Sequence, residues 1–196
     1  PQAVFRFARA VIVRELDRLH SEGLAADHHG ADLDRQSCDL ELDSLQALGV
    51  FGALSEALTV EDLGPCADNA QSMADWIACA AAQPIAQLTI ATSGSTGTPK
   101  LHRHSVEHLL EEARWFAARL PDIRRVIALV PADHLYGLIW TAILPAILDV
   151  PVVQAKVSAL PPAQENDLIV AVPEQWAALA RIARTWPPGT VGVSSA

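Results

Sequence analysis

A short loop rich in glycine and hydroxyl groups has the composition of an anion-binding site. Its sequence is Thr92-Ser93-Gly94-Ser95-Thr96-Gly97-Thr98-Pro99-Lys100. The glycines let the backbone turn tightly and approach a ligand closely. Consecutive backbone N–H groups can form an anion-binding nest, the hydroxyl groups can donate hydrogen bonds, and the lysine adds a positive charge. The pattern predicts a loop that binds phosphate groups, with a flexible Ser/Gly linker as the alternative.

The predicted surroundings of this loop favour phosphate binding over a linker. An apolar segment at residues 88–91 predicts a buried strand before it, and residues 105–120 predict a helix after it. In α/β proteins, phosphates commonly bind where a strand passes into a helix. The loop is not a Walker A motif, because it lacks the G-x-x-x-x-G-K-[ST] order and its lysine follows a proline.

Residues 92–100 closely resemble the phosphate-binding motif of the adenylate-forming superfamily. That family includes acyl-CoA synthetases, luciferases and nonribosomal-peptide adenylation domains. The resemblance implies that the loop holds the β- and γ-phosphates of ATP, usually with Mg²⁺, while a carboxylate attacks the α-phosphate. Pyrophosphate leaves, and the acyl-adenylate is then attacked by a thiol of CoA or of a carrier protein. It also implies a catalytic role for Lys100 and contacts with the ATP phosphates from Thr92, Ser93, Gly94, Ser95, Thr96, Gly97, Thr98 and Lys100.

A second motif follows a predicted strand and opens a predicted helix. Its sequence is Pro131-Ala132-Asp133-His134-Leu135-Tyr136-Gly137-Leu138. It resembles the His-x-aromatic-Gly element of the same family, which lies near the acyl pocket and the reacting carboxylate. The resemblance implies that His134 orients this carboxylate and that Tyr136 forms a wall of the acyl pocket. The alternative is an ordinary loop histidine beside a core tyrosine.

Three histidines after the loop raise the question of a metal site. His104 resembles a histidine that the family has at the start of the helix after the loop, although its spacing from Lys100 is shorter than in most members. His104 and His108 would share one face of the predicted helix, with His102 nearby. No carboxylate or cysteine pattern completes a ligand set, so we predict exposed histidines and no metal site.

The segment Leu42-Asp43-Ser44-Leu45 stands at the start of a predicted helix. It resembles the Asp-Ser-Leu site of acyl carrier proteins, in which the serine carries phosphopantetheine. The resemblance implies that Ser44 is a phosphopantetheine attachment site. The alternative is that Asp43 or Ser44 only caps the helix, because both residue types favour that position.

The hydrophobic pattern predicts an α/β protein with a small helical front. Residues 1–84 are predicted to form an acyl-carrier-like helical module, with helices over about residues 3–21, 43–58 and 70–82. Residues 85–196 are predicted to form a partial adenylation domain in which strands and helices alternate, giving βαβ units and a mostly parallel sheet. Its uniformly apolar strands indicate a sheet covered on both faces. On the second helix, the expected buried side consists of Leu45, Leu48, Phe51, Leu54 and Leu58.

Composition and charge narrow the classes of partner. The chain has 196 residues, of which 51% are hydrophobic and 19% charged, enough to build a core. Its net charge of -9 comes from residues 1–75, which hold fourteen acids and five bases and argue against nucleic acid or an anionic membrane as partner. No apolar run reaches the ~18 residues of a membrane span. The three cysteines have no metal-type spacing, so we expect reduced thiols and a cytoplasmic location.

The combination of a carrier-like front, this loop and the His-x-Tyr-Gly element resembles bacterial AMP-ligases associated with aryl-polyene pigment synthesis. That resemblance implies an aromatic or related acid as substrate. The family's metal-binding acid, ribose-binding aspartate and C-terminal catalytic lysine would lie beyond residue 196, so we expect an N-terminal part of a ligase that does not turn over alone. The alternative is a carrier or interaction module fused to an inactive adenylation-like domain. An exposed sheet edge also predicts pairing with a second copy.

Overall fold

The computed structural model describes residues 2–24, 41–92, 100–182 and 185–195. The chain divides into two compact units, Pro1–Val106 and Glu107–Ala196. Residues 85–106 therefore pack with the helices of the first unit. The functional boundary between residues 84 and 85 stays a prediction.

Three helices dominate the first unit. They are α1 (Gln2–Ser21), α2 (Ser44–Leu58) and α3 (Met73–Ala81), with a 3₁₀ turn at Ala67–Asn69. All three were expected from the 3.6-residue period of apolar side chains. No described helix is long and apolar enough to cross a membrane. The side chains that α1 buries lie along one stripe: Phe7, Ala8, Val11, Ile12, Leu16 and Leu19.

The start of α2 confirms the predicted cap. The Asp43 carboxylate accepts hydrogen bonds from the backbone N–H groups of Leu45 and Gln46, at 2.9 and 2.8 Å. In return, the Gln46 side chain accepts from the Asp43 N–H at 2.9 Å, which completes a capping box. These bonds satisfy backbone donors that a helix start leaves without intrahelical partners.

The predicted buried side of α2 is wrong in two positions. Leu45 is 43% exposed and Leu48 is 67% exposed. The helix instead buries a stripe rotated away from them, which consists of Gln46, Val50, Leu54, Ala57 and Leu58. The leucine pattern misled because the contact face contains small and polar residues that a hydrophobicity count passes over.

Gly49 shows why a small residue lies on that face. A Cβ atom at this position would come 2.8 Å from Oε1 of Glu15 and 2.9 Å from a methyl carbon of Leu19, both on α1. A side chain at Gly49 would force the ends of the Glu15 and Leu19 side chains to move, so glycine suits this close approach of the two helices. Its cost to helix propensity is offset by this packing.

A β-hairpin that the sequence did not predict completes the first unit. Strand β1 (Gln87–Thr92) pairs antiparallel with β2 (Lys100–Ser105). The phosphate loop thus lies between two strands, and not between a strand and a helix as expected. Strand β2 was missed because its sequence, KLHRHS, is polar and mostly exposed. It lacks the alternation of apolar residues that predicts a strand, and only its pairing with β1 defines it. Helix α4 (Val106–Ala117) follows directly.

The second unit contains the predicted parallel sheet. Its strands are β3 (Arg125–Ala128), β4 (Val152–Gln154), β5 (Asp167–Ala171) and β6 (Val191–Ser194), in the order β4-β3-β5-β6 with all pairs parallel. Between β3 and β4 the chain forms an α-helical turn α5 (Leu135–Gly137), a π-helical segment (Leu138–Ile143) and helix α6 (Leu144–Leu148). A 3₁₀ turn (Val157–Ala159) precedes β5, and helix α7 (Pro173–Arg181) follows it.

Apolar side chains cover both faces of this sheet, as the uniformly apolar strands predicted. Alternate residues of β3 and β5 point to opposite faces. The core on one face comprises Ile123, Val126, Val130, Leu144, Leu168 and Val170. The core on the other comprises Ile127, Leu129, Leu160, Ile169, Ala171 and Leu179.

An ion pair joins the two central strands at their amino ends. Arg125 and Asp167 are register partners, and the guanidinium donates to both carboxylate oxygens at 2.8 and 2.6 Å. Asp167 has no exposed surface and also accepts from the N–H of Gln164 at 2.7 Å. Bonding to Asp167 raises the pKa of Arg125 above its ordinary value. This pairing is bidentate, the geometry that suits a planar guanidinium best.

Candidate functional site

The hairpin brings the two ends of the phosphate loop together. Thr92 and Lys100 are the last register pair of β1 and β2, and the Thr92 hydroxyl donates to the Lys100 carbonyl at 3.3 Å. Strand β1 is anchored by the buried side chains of Leu88 and Ile90. The other predicted phosphate contacts lie outside the described residues: Ser93, Gly94, Ser95, Thr96, Gly97 and Thr98.

The histidines after the loop do not share one helix. His102 and His104 belong to β2, whereas His108 belongs to α4. The expected helical face containing both His104 and His108 is therefore wrong, because the backbone is extended through Ser105. Within the described ranges, no group of three or more His, Cys, Asp or Glu side chains could hold a metal ion.

His134 caps the short helical turn α5. Its Nδ1 accepts a hydrogen bond from the backbone N–H of Gly137 at 3.1 Å. A ring nitrogen that accepts cannot carry the proton, so the neutral imidazole must hold its proton on Nε2. The cap thus selects the tautomer whose Nε2–H is a hydrogen-bond donor, a suitable group for a carboxylate.

Gly137 makes this cap sterically possible. A Cβ atom there would overlap the carbonyl oxygen of Pro131 and come 2.6 Å from Cε1 and Nδ1 of His134. The backbone of Gly137 has ordinary helical angles, with φ -62° and ψ -41°. Close approach of neighbouring groups, and not backbone conformation, requires glycine at this point of the motif.

Tyr136 links the same turn to the central sheet. Its hydroxyl donates to the carbonyl oxygen of Ala171, at the end of β5, at 3.0 Å. Its ring lies 6.5 Å from that of His134, centroid to centroid, in an edge-on arrangement. Burial raises the pKa of Tyr136 to about 12, so the hydroxyl stays protonated near neutral pH. The pair therefore lies at the carboxyl ends of parallel strands, where α/β sheets usually bind ligands.

Two glutamines that the sequence analysis did not single out support the segment after β3. Gln175 of α7 donates to the carbonyl of Leu129 at 2.8 Å and accepts from the N–H of Val172 at 3.0 Å. Gln154 of β4 donates to the carbonyl of Val130 at 3.3 Å. Both amides hold the backbone shortly before His134. The sequence offered no signal for either contact, because the two glutamines lie 24 and 46 residues from the carbonyls to which they donate.

Ser44 is the first residue of α2, and it is exposed. The far end of this helix contacts the hairpin, since the hydroxyls of Thr59 and Thr89 lie 3.0 Å apart. Fifteen residues of helix, roughly 22 Å, therefore separate Ser44 from that contact. The described residues bring Thr92 close to Lys100 and His134 close to Tyr136, while Ser44 is apart from the hairpin.

Comparison with known proteins yields relatives but no matching family model. A 4-coumarate--CoA ligase of Halorhodospira halophila is 36% identical over 181 residues, which cover 91% of this chain and 43% of the relative. A 4-coumarate--CoA ligase of Rhodobacter capsulatus is 37% identical over 174 residues, covering 80% of this chain and 45% of the relative. The chain thus spans less than half the length of these relatives, and over that part they support a relationship to CoA ligases.

Among solved structures, an acyl-CoA synthetase (AMP-forming)/AMP-acid ligase II-like protein from Dyadobacter fermentans aligns with 67% of this chain and 38% of its own chain. The alignment has a TM-score of 0.46 and 21% identity. A similarity of this size does not establish a fold.

Proposed function

We propose that this chain is part of an AMP-forming acid–thiol ligase. The enzyme would react a carboxylic acid with ATP to form an acyl-adenylate and pyrophosphate. It would then pass the acyl group to the thiol of CoA or of a carrier protein. The observation that carries the proposal is the nine-residue loop sequence, residues 92–100, with Thr92 and Lys100 paired at its base.

The hairpin explains how such a loop could work. Pairing of Thr92 with Lys100 fixes both ends of the loop and reduces the chain entropy that ligand binding must remove. Lys100 would neutralise charge on the phosphates, which is the main contribution that a protein makes to this type of transfer. Catalysis here would consist mostly of positioning.

The His134 element supports a role in binding the acid. Its Nε2–H, set by the Gly137 cap, would donate to one oxygen of the carboxylate and leave the other oxygen to attack the α-phosphate. Tyr136 would form one wall of the acyl pocket. Its hydroxyl already bonds to Ala171, so its contact with the acid would come from the ring.

An aryl acid is the proposed substrate. The relatives are named for 4-coumarate, an aromatic acid, and for CoA as the acceptor. Mg²⁺ would accompany the triphosphate of ATP. The part of the chain that the structure describes offers no cluster of His, Cys, Asp or Glu side chains that could hold the metal.

ATP–pyrophosphate exchange tests the proposal directly. The natural full-length protein that carries this sequence is incubated with labelled pyrophosphate, ATP, Mg²⁺ and a panel of aliphatic and aryl acids that includes 4-coumarate. We expect exchange that depends on an aryl acid. Absence of exchange with every acid, in a folded protein, would contradict the proposal.

Matched variants assign the roles. Lys100→Gln should lower exchange by at least about a hundredfold, because one phosphate-stabilising charge is lost. Arg103→Gln, in the same strand, removes the same charge and should leave exchange unchanged. His134→Ala should raise the KM for the acid more than the KM for ATP. An equal effect on both substrates would remove His134 from the acid site.

Phosphopantetheine attachment at Ser44 is a second candidate function, which would make the first unit a carrier. It is favoured by the exposure of Ser44 beside the Asp43 cap, where a modifying enzyme could reach the hydroxyl. The capping box explains why Asp43 and Gln46 stand at this helix start without any modification of Ser44. It therefore does not distinguish a phosphopantetheine site from an ordinary helix cap.

Intact mass spectrometry distinguishes these outcomes for Ser44. The chain is incubated with CoA and a phosphopantetheinyl transferase. Attachment predicts one added phosphopantetheine mass, its loss in Ser44→Ala and its retention in Ser55→Ala, a control serine on the same helix. If the unaltered chain gains no mass, the carrier function fails while the ligase proposal stands.

A further inference from the structure

A single peptide group at the end of β5 is held from both sides. It consists of the carbonyl of Ala171 and the N–H of Val172. The Tyr136 hydroxyl donates to the carbonyl at 3.0 Å, and the side-chain oxygen of Gln175 accepts from the N–H at 3.0 Å. A peptide group that accepts and donates at once polarises both bonds, so each bond strengthens the other. We call this group the 171–172 peptide.

Gln175 extends this contact to the end of β3. Its side-chain nitrogen donates to the carbonyl of Leu129 at 2.8 Å, and Leu129 is 6% exposed. The N–H of Val172 can only donate and the carbonyl of Leu129 can only accept, so the two contacts together fix which end of the amide is oxygen. One half-buried side chain thus joins backbone groups that follow two neighbouring strands.

The segment that carries His134 is attached to β5 at both of its ends. At its start, Leu129 accepts from Gln175, and the Leu129 N–H donates to the carbonyl of Val170 at 2.9 Å. At its end, the Tyr136 hydroxyl bonds to the 171–172 peptide. Residues 129–136 therefore form a closed loop with His134 inside it. Gln175 connects the start of this loop to the same peptide that holds its end.

We propose that Gln175 is a positioning residue for the acid site. By holding Leu129 to the 171–172 peptide, it determines where residues 129–136 place the Nε2–H of His134. Gln175 does not touch the acid and acts through His134. A displacement of about 1 Å at such a group can lower a rate about a hundredfold. The role in the reaction rests on the proposed function, whereas the hold on the segment does not.

Helix capping is the competing explanation for Gln175. A glutamine at the third position of a helix often accepts from the N–H just before that helix, and Gln175 is the third residue of α7. Capping accounts for the bond from Val172 and gives no role to the bond to Leu129. It predicts that changes at Gln175 act only through the stability of α7. A positioning role predicts an effect on residues 129–136 that a weaker α7 does not reproduce.

The ionisation of Tyr136, the only tyrosine of the 196-residue chain, reports on this segment. Gln175→Met removes both side-chain hydrogen bonds and adds no charge. We expect the midpoint of the tyrosine absorbance change to fall from about 12 toward its ordinary value of 10.0, because a loosened ring becomes more exposed to water. Ala177→Gly, at an exposed position of α7, weakens the helix without touching either carbonyl and should leave the midpoint unchanged.

Three results of this titration overturn the proposal. They are an unchanged midpoint in Gln175→Met, an equal fall in Ala177→Gly, and a midpoint already near its ordinary value in the unaltered chain. The last result counts because the proposal requires a Tyr136 that is held and buried.

Pyrophosphate exchange by the full-length protein then measures the effect on each substrate. Gln175→Met should raise the KM for the acid about tenfold and change the KM for ATP less than about twofold, because only the acid contacts His134. Gln175→Glu keeps an acceptor for the Val172 N–H but loses the donor to Leu129. It should raise the KM for the acid similarly, and it provides the test if Gln175→Met does not fold. An unchanged KM for the acid in Gln175→Glu, or an equal rise for both substrates, overturns the proposal.

The two measurements separate this proposal from the ligase proposal. Exchange by the unaltered protein, with a normal KM for the acid in the Gln175 variants, removes the positioning role and leaves the ligase proposal intact. No exchange by the unaltered protein contradicts the ligase proposal and, with it, the role of Gln175 in the reaction. The absorbance titration still shows in that case whether Gln175 holds residues 129–136.

Discussion

Gly137 is a residue whose missing side chain supports the candidate acid site. A Cβ atom would overlap the Pro131 carbonyl and crowd the His134 ring, so Gly137→Ala must displace one of them. We expect a loss of stability of about 1–3 kcal/mol, the usual cost of overpacking. Urea unfolding of the variant and of the unaltered chain measures it.

Gly52 provides the matched control for that substitution. It also lies in a helix, but a Cβ atom there would meet nothing within 4 Å. Gly52→Ala should stabilise the protein by about 0.5–1 kcal/mol, since alanine favours a helix over glycine. Equal effects of the two substitutions would mean that Gly137 is not sterically restricted.

Tyr136 is the only tyrosine of the sequence, so its ionisation can be followed without overlap from other tyrosines. Burial raises its pKa to about 12, above its ordinary value of 10.0. The neutral form is favoured in the folded state, so its contribution to stability is complete below pH 10 and is lost as the pH rises toward 12.

Absorbance at 295 nm, recorded against pH, tests this expectation. The midpoint should lie well above pH 10 in the folded chain, and it should return to about 10 in concentrated urea. Tyr136→Phe should abolish the absorbance change. A midpoint near 10 in the folded chain would show that the Tyr136 hydroxyl is not buried as the structure describes.

At the scale of elements, the orientation of α2 can be measured. Leu54 is fully buried, whereas Leu48 is 67% exposed. Leu54→Ala should therefore destabilise the chain by about 2–5 kcal/mol, and Leu48→Ala by less than about 0.5 kcal/mol. Chemical denaturation of both variants gives the comparison. A large loss of stability for Leu48→Ala would instead support the buried side of α2 that the leucine pattern predicted.

The Arg125–Asp167 pair joins β3 to β5 at the end of the sheet opposite His134. Asp167→Asn would leave the partly buried guanidinium without its counter-charge, so we expect a loss of about 3–5 kcal/mol. The double variant Arg125→Met/Asp167→Leu removes both charges and should recover most of it. Thermal unfolding monitors both. A double variant less stable than Asp167→Asn would contradict a purely electrostatic cause.

At the scale of the whole molecule, the two compact units lead to a prediction about autonomous folding. The hairpin belongs to the first unit, and its β1 strand contacts α2 through the Thr59 and Thr89 hydroxyls. We expect residues 1–106 to fold cooperatively and to melt at a higher temperature than residues 1–84, which lack the hairpin. Circular dichroism melts of the two chains measure this difference. Equal melting temperatures would favour the boundary at residues 84 and 85.

Features that depend on nearby residues in the chain could be predicted from the sequence. Asp43 marks a helix start, which the structure confirms, whereas anion binding by residues 92–100 stays a prediction from their glycine and hydroxyl content. The uniformly apolar segments that became β3 and β5 indicated a parallel sheet covered on both faces. In each case the physical cause, such as backbone freedom, a local hydrogen bond or burial of a whole segment, is contained in the segment itself.

Only the tertiary structure decided the features that need a distant partner. Strand β2 exists because β1 pairs with it, and Gly49 faces inward because α1 approaches there. The cap of His134 depends on the space beside Pro131, while Gln154 and Gln175 act on carbonyl groups 24 and 46 residues away. Composition does not determine which backbone groups come within hydrogen-bond distance after folding. The sequence by itself therefore predicts the type of chemistry at the loop, and the fold decides that Thr92 and Lys100 pair at its base.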